Sequence, residues 1–200
     1  MYKVFVNDKP FFLTNEIVKE TDFQIFLLES TDIKNLVIKM FNNKITKCYL
    51  YYPDEKVMFK KLKEKIPVQK AGGGLVYNNN GEVLFIFRNG KWDLPKGGKE
   101  KKEKMKNSAL REVEDETGVN KLIITKKLQK TYHIFKRNGV YKLKITNWFE
   151  MKSDYEGIPV GQAEEGIEKV AWLNPEQIQE ALKNSYENIK LLFEEEKLLK

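Results

Sequence analysis

Residues Gly97–Val119, GGKEKKEKMKNSALREVEDETGV, decide how this chain is read. From Gly97 the segment crosses five residues to Glu103 and seven more to Arg111, then runs Glu112, Val113, Glu114, Asp115, Glu116, Thr117, Gly118, Val119. At about 100° per residue, a helix with Glu112 at zero brings Glu116 to about 40° and Asp115 to about 300°, so three carboxylates share one arc. Glu114 falls at about 200°, on the far side. Met105, Ala109 and Val113 lie at about 20°, 60° and 100°, with Leu110 further round. An apolar stripe therefore runs beside the acidic one, and the helix can pack while presenting its acids.

Three carboxylates on one turn repel one another unless a cation sits among them. Oxygen-only ligands suit Mg²⁺, or Mn²⁺. The bland alternative is a solvated helix face rich in Glu and Lys. The full spacing decides against it, because it resembles the Nudix box: glycine, any five, Glu, any seven, Arg, Glu, aliphatic, any, Glu, Glu, any, Gly, aliphatic. Every specified position matches except Asp115, where the family has Glu. With Asp allowed there, a chance match in a chain of this length has a probability on the order of 10⁻⁷. Upstream, WDLPKGG (Trp92–Gly98) resembles the approach to the box in Nudix enzymes that cleave dinucleoside polyphosphates and in RNA 5′-pyrophosphohydrolases.

The resemblance implies metal-assisted attack of water on phosphorus in a nucleoside diphosphate linked to another group. It makes Glu112, Asp115 and Glu116 the expected metal ligands, with a backbone carbonyl at Lys96 or Gly97 completing the set. It makes Arg111 and Glu103 a pair that fixes the loop against the helix. Catalytic roles are thus expected of Glu112, Glu116, Arg111 and Glu103. Asp115 is one carbon shorter than Glu, so its carboxylate retracts by roughly 1.5 Å and binds metal more weakly, through water, or with a shift toward Mn²⁺. A further acid from a late loop points to Glu164 and Glu165, each otherwise a solvated loop charge.

For phosphate contacts the candidates are Arg88, Lys96 and Lys99; for base stacking, Trp92, Tyr132 or Trp148. Aromatics in a β-rich core are more often packing. His133, between Tyr132 and Ile134, is read as structural. A serine hydrolase is a poor fit, with Ser108 inside the box helix and one histidine in the chain.

Two hundred residues hold one large domain, or a medium one with a small partner. No apolar run approaches the length of a membrane span and no leader is evident, which reads as a soluble cytoplasmic protein without membrane association. The single cysteine, Cys48, excludes an internal disulfide and reads as inert core. A net charge of +7 invites nucleotide phosphates, RNA or an acidic surface without choosing among them.

Before the box, Tyr2–Val6 and Phe11–Leu13 read as a hairpin across Asn7, Asp8, Lys9 and Pro10, and Phe23–Leu28 as a third strand. Thr31 or Asp32 caps a helix with Ile33, Leu36, Val37, Met40 and Phe41 on one face. A strand at Ile45–Tyr52 and a helix from Asp54 to about Lys65, stopped by Pro67, follow. Residues 1–66 thus form a small α+β unit, read as an appended packing or dimerising domain or as a substrate lid.

From Val68 the glycines Gly72, Gly73 and Gly74 lead into strand Leu75–Tyr77, better explained by close packing than by phosphate binding. Asn78–Gly81 turns into strand Glu82–Arg88. After the box, Leu122–Phe135 and Val140–Met151 form a hairpin around Asn138–Gly139, followed by strand Ile167–Leu173. Asn174 and Pro175 open a helix to about Leu182, and a last helix spans about Ser185–Leu199. The expected class is α/β (α+β): over residues 67–200 a Nudix-like α/β/α sandwich around a mixed sheet.

The first expectation is a Mg²⁺-dependent Nudix pyrophosphohydrolase acting on a dinucleoside polyphosphate or nucleoside triphosphate. RNA 5′-pyrophosphate removal is the alternative among enzymes, and a Nudix-like nucleic-acid-binding or regulatory module the rival from another class. The surviving acids argue against the rival. RNA as a partner and a homodimer both stay open.

Overall fold

Asn7 adopts φ 52° between strands β1 (Tyr2–Val6) and β2 (Lys9–Thr14), which pair antiparallel as the expected hairpin. The protein is described by a computed structural model covering residues 1–17 and 23–198. Strand β3 (Gln24–Leu27) follows, then α1 (Ile33–Phe41), β4 (Cys48–Tyr51) and α2 (Glu55–Lys65). Asp32 caps α1 by accepting from the N–H of Asn35, and Asp54 caps α2 by accepting from Lys56. Each cap is worth about 1 kcal/mol. The expected strand Ile45–Tyr52 is shorter in fact, beginning at Cys48.

The chain divides into two compact units, Met1–Gln69 with Tyr132–Ile145, and Lys70–Thr131 with Thr146–Lys200. In the first, the strand order is β3-β4-β2-β1, and β1 pairs in parallel with residues Tyr132–Ile134. Val4, Val6, Phe11, Leu13, Cys48 and Leu50 alternate onto one sheet face and pack with Leu36, Val37 and Met40 of α1 and Met58 and Leu62 of α2. Cys48 is fully buried there, and burial pushes its thiol up to about 12. It is inert core, as expected.

The second unit is built on β5 (Val68–Tyr77), β6 (Val83–Arg88), β7 (Lys91–Asp93) and β8 (Lys96–Gly98). After α3 (Met105–Thr117) come β9 (Leu122–Arg137), β10 (Val140–Ser153), β11 (Ile167–Leu173), α4 (Pro175–Lys183) and α5 (Glu187–Glu195). Strands run in the order β11-β6-β5-β10-β9, with β7 on β6 and β8 on β5. Alternate residues divide the core. Val76, Leu84, Phe149 and Met151 face Ala109 and Val113 of α3, while Leu75, Phe85 and Trp148 face Ile178 of α4 and Ile189, Leu192 and Phe193 of α5. Helices thus cover both faces, the expected sandwich. The last helix is shorter than expected, ending at Glu195, and Leu199 lies outside the described residues.

The glycine triplet lies within β5 rather than ahead of a strand. A Cβ on Gly72 would stand 2.7 Å from the main-chain N of Ala109, and one on Gly74 2.7 Å from Val113 Cγ2. Only glycine lets α3 approach this strand so closely. At its far end Gly118, with φ 70°, returns its N–H to Glu114 O at 2.8 Å and closes the helix. Among the described residues no helix is long and apolar enough to cross a membrane.

Candidate active site

Three segments meet at the C-terminal half of α3: the end of β6, the β7–β8 connection and the last helical turns. Antiparallel pairing of Ile86 with Asp93 and Arg88 with Lys91 puts Arg88 and Asp93 on one side of β6. There Arg88 Nη2 meets Asp93 Oδ2 at 3.3 Å and Nη1 meets Glu116 Oε1 at 3.4 Å. Lys96 Nζ also bonds Asp93 Oδ2, and its main-chain N–H donates to Glu116 Oε2 at 2.8 Å. Asp93 Oδ1 accepts from the N–H of Leu94 at 2.8 Å, which locks the turn into Pro95.

This network is nearly dry: Asp93 and Glu116 are each 2% exposed and Lys96 7%. Burial pushes the Glu116 carboxyl up to about 7, against the pull of Lys96 and Arg88. Burial likewise opposes ionisation of Asp93, but Lys96 and Arg88 outweigh it and hold that carboxyl below its ordinary range. Lys96 is drawn below the usual lysine value by burial and by neighbouring Arg88.

Glu112 stands one turn earlier, against Gly97. A Cβ at Gly97 would lie 1.7 Å from Glu112 Oε2, so the carboxylate occupies the space that glycine leaves open. Burial raises its pKa, opposed by Arg111, with the charge of Glu165 among the lesser causes. Arg111 is the hub of the outer side. It grips Glu103 through Nε at 3.0 Å and Nη2 at 3.1 Å, reaches Gly98 O at 3.2 Å, and pairs with Glu112 at 2.7 Å and Asp115 at 3.2 Å. The Arg111 hydrogen bonds bring the Glu103 carboxyl down to about 2. A fork of this kind ties the loop Gly98–Glu103 to α3.

The residues singled out in the sequence thus fall into groups. Glu112, Glu116, Lys96 and Gly97 come together, with Arg88 beside them, and Arg111 and Glu103 pair. Asp115 shares the arc but is half exposed and held by Arg111; among the described residues no three acidic, His or Cys side chains are already arranged around a point. Lys99 Nζ bonds the neighbouring Glu100 carbonyl. Glu164 and Glu165 lie in a 3-10 turn, Ala163–Glu165, which is tethered to the end of α3 by Gln162 N–H to Glu116 O and Val160 N–H to Thr117 O.

Three aromatics have other surroundings than base stacking needs. Trp92 pairs in register with Phe87, so it points to the opposite side of β6 from Arg88, edge-on to Phe85 and Phe87. Trp148 is fully buried, its indole N–H donating to Thr131 Oγ1 at 2.9 Å, which removes it as a stacking surface. Tyr132 belongs to the first unit and packs on Phe59 and Tyr2. Asp93 carried no role in the sequence reading. Its signal was an acid three residues before Lys96, separated only by Leu-Pro.

Carboxylate oxygens on adjacent helical turns, with a glycine backbone between them, form an oxygen donor set of the kind that hard divalent cations take. The space at Gly97 fits the same purpose: Glu112 and the main chain approach a common point that a side chain there would fill.

A family model described as NUDIX domain matches residues 67–193. A curated RNA pyrophosphohydrolase of Bartonella tribocorum is 30% identical over 79 residues, covering 34% of this chain and 46% of that protein. The chain therefore spans under half the length of this relative. Among solved structures, a MutT protein from Methanosarcina mazei superposes with TM-score 0.53 at 23% identity, over 65% of this chain and 93% of that one. A C. elegans Ap4A hydrolase gives 0.50 at 20% identity, over 66% and 96%. These two likenesses are of fold.

Proposed function

The chain belongs to the Nudix hydrolase family, and from that membership we propose that it hydrolyses a pyrophosphate bond in a nucleoside diphosphate linked to another group, with a divalent cation. A dinucleoside polyphosphate or nucleoside triphosphate is the proposed substrate class. The observation carrying this reading is the placement of Lys96–Gly97 between the carboxylates of Glu112 and Glu116.

Glu112 and Glu116, with the carbonyl at Gly97, would hold the ion; Asp115 joins only by leaving Arg111. A divalent cation held there would neutralise the pyrophosphate and acidify a water for attack on phosphorus. Arg88 and Lys96 supply fixed positive charge beside the same carboxylates, where low polarity strengthens their pull on phosphate oxygens. Arg111 keeps Glu103 and the Gly98 carbonyl in place, so the loop cannot drift from α3. Glu164 and Glu165, on the turn tethered to the end of α3, are the candidates to take the proton of the attacking water.

RNA 5′-pyrophosphate removal is the second reading, favoured by the name of the curated relative. Product release should be measured over nucleoside triphosphates, dinucleoside polyphosphates, ADP-ribose, nucleotide sugars and triphosphorylated RNA, with Mg²⁺ and separately Mn²⁺. Turnover lost in Glu116→Gln supports the proposal and names the substrate class. Equal turnover in that variant overturns it.

A further inference from the structure

In the first unit, α1 and α2 pack on one face of the sheet, and the other face carries a different population. Register places Lys3, Phe12, Tyr49 and Ile25 in one row across β1, β2, β4 and β3. Because Val4 and Ile134 point to the helices, Phe5 and His133 point to this second face, and so does Phe135. Phe12 and Tyr49 stack at 5.2 Å, and both are only half-buried.

Cations accompany the rings. Lys47 Nζ lies 5.3 Å from the Phe12 ring, Lys144 Nζ 4.9 Å from Phe135, and Lys3 Nζ 5.3 Å from Phe5. Among the described residues, no strand position facing this way carries Asp or Glu. Half-open rings at Phe12, Tyr49 and Phe135, accompanied by lysines and with no acid at a described strand position of this face, are complementary to one chemistry: unpaired bases with phosphates between them. A duplex hides its base faces, and protein interfaces are depleted of lysine, which this face carries beside its rings.

We propose that this face of the N-terminal unit docks a single-stranded polynucleotide, its bases stacking on Phe12, Tyr49 and Phe135 and its phosphates meeting Lys3, Lys47 and Lys144. Tyr49 and Phe135 are three strand spacings apart across the sheet and four residues apart along it, about 20 Å in all, a span that a short single strand bridges. The proposal does not rest on turnover at the carboxylate site. It gives residues 1–66, which hold no catalytic motif, a role in holding a substrate or regulator.

The test is fluorescence anisotropy of the full chain with labelled 12-mer RNA and DNA of mixed sequence, single-stranded and as duplexes, over a range of salt. Single strands are expected to bind at least about 5-fold more weakly to Phe135→Ala, the cost of one lost stack. For the Lys47→Gln, Lys144→Gln double variant, which leaves the rings in place, log K against log salt should flatten by about 0.7 per lysine. Hydrolysis of a small nucleotide should be unchanged in both. Duplex binding as tight as single-strand binding, or full affinity retained in the lysine variant, overturns the proposal. So does a concentration-dependent dimer, seen by sedimentation, that these variants disrupt while single-strand binding stays intact.

Discussion

The main-chain N–H of Lys96 donates to Glu116 Oε2 at 2.8 Å, joining a buried turn to the box helix through a carboxylate 20 residues away. The second oxygen of the same group meets Arg88 at 3.4 Å. Glu116 is thus oriented by the Lys96 backbone and by Arg88 before any ligand arrives. Glu116→Gln keeps an oxygen acceptor for Lys96 but removes the charge. We expect kcat/KM to fall by about 10²-fold or more with the fold retained, read by steady-state kinetics and circular dichroism.

Glu112 takes the space that Gly97 leaves open. In Gly97→Ala the new methyl group drives that carboxylate off its position, and because the displaced atoms end a flexible side chain, the protein should still fold. The Mg²⁺ concentration for half-maximal activity should rise about 10-fold or more. An unchanged metal titration would remove Glu112 from the ligand set.

Asp93 stands between two cations, Lys96 and Arg88, at 2% exposure. Asp93→Asn leaves both facing Glu116 alone, and loss of one partner from a buried ionic network costs about 3–5 kcal/mol. Urea unfolding should register that loss; a cost under about 1 kcal/mol would show the network to be more hydrated than its burial implies.

Gly72 touches the backbone of Ala109, which cannot swing aside. Gly72→Ala should therefore destabilise by about 1–3 kcal/mol through overpacking, measured by thermal and urea denaturation. Retained stability would mean that α3 can shift without penalty.

The Glu103 carboxyl is held at about 2 by Arg111, against an ordinary value of 4.5. Since the folded value is the lower, its contribution to stability is complete above pH 4.5 and is lost as pH falls from there through about 2. Glu103→Gln should flatten the acid limb of Tm against pH in that window and leave its shape near neutrality alone. A parallel acid limb in the variant would assign the effect to other carboxylates.

How much of this was legible in the sequence depends on whether the signal is local. The periodicity of Met105, Ala109 and Val113 placed the inner face of α3, and Asp32, Asp54 and Asn174 marked three helix starts, because capping and amphipathicity act within a few residues. Asn138–Gly139 marked a hairpin for the same reason: both adopt positive φ. The acidic arc was likewise readable, and with it the family. The short strands β7 and β8 were not foreseen, being three residues each and held by their partners β6 and β5 rather than by their own propensity.

By itself, then, the sequence determined the box helix, its acids and the family to which the chain belongs. Only the tertiary structure decided which acids are dry and oriented, and which charged partner each one has. Asp115 and Glu116 are neighbours on one helix, yet one is half exposed on Arg111 while the other is sealed against Lys96. It also decided that Trp92 faces away from Arg88 and that β1 lies beside residues 132–134. The physical reason is that a helix is specified by contacts three and four residues apart, whereas strand partners and register are settled by burial between segments distant in the chain.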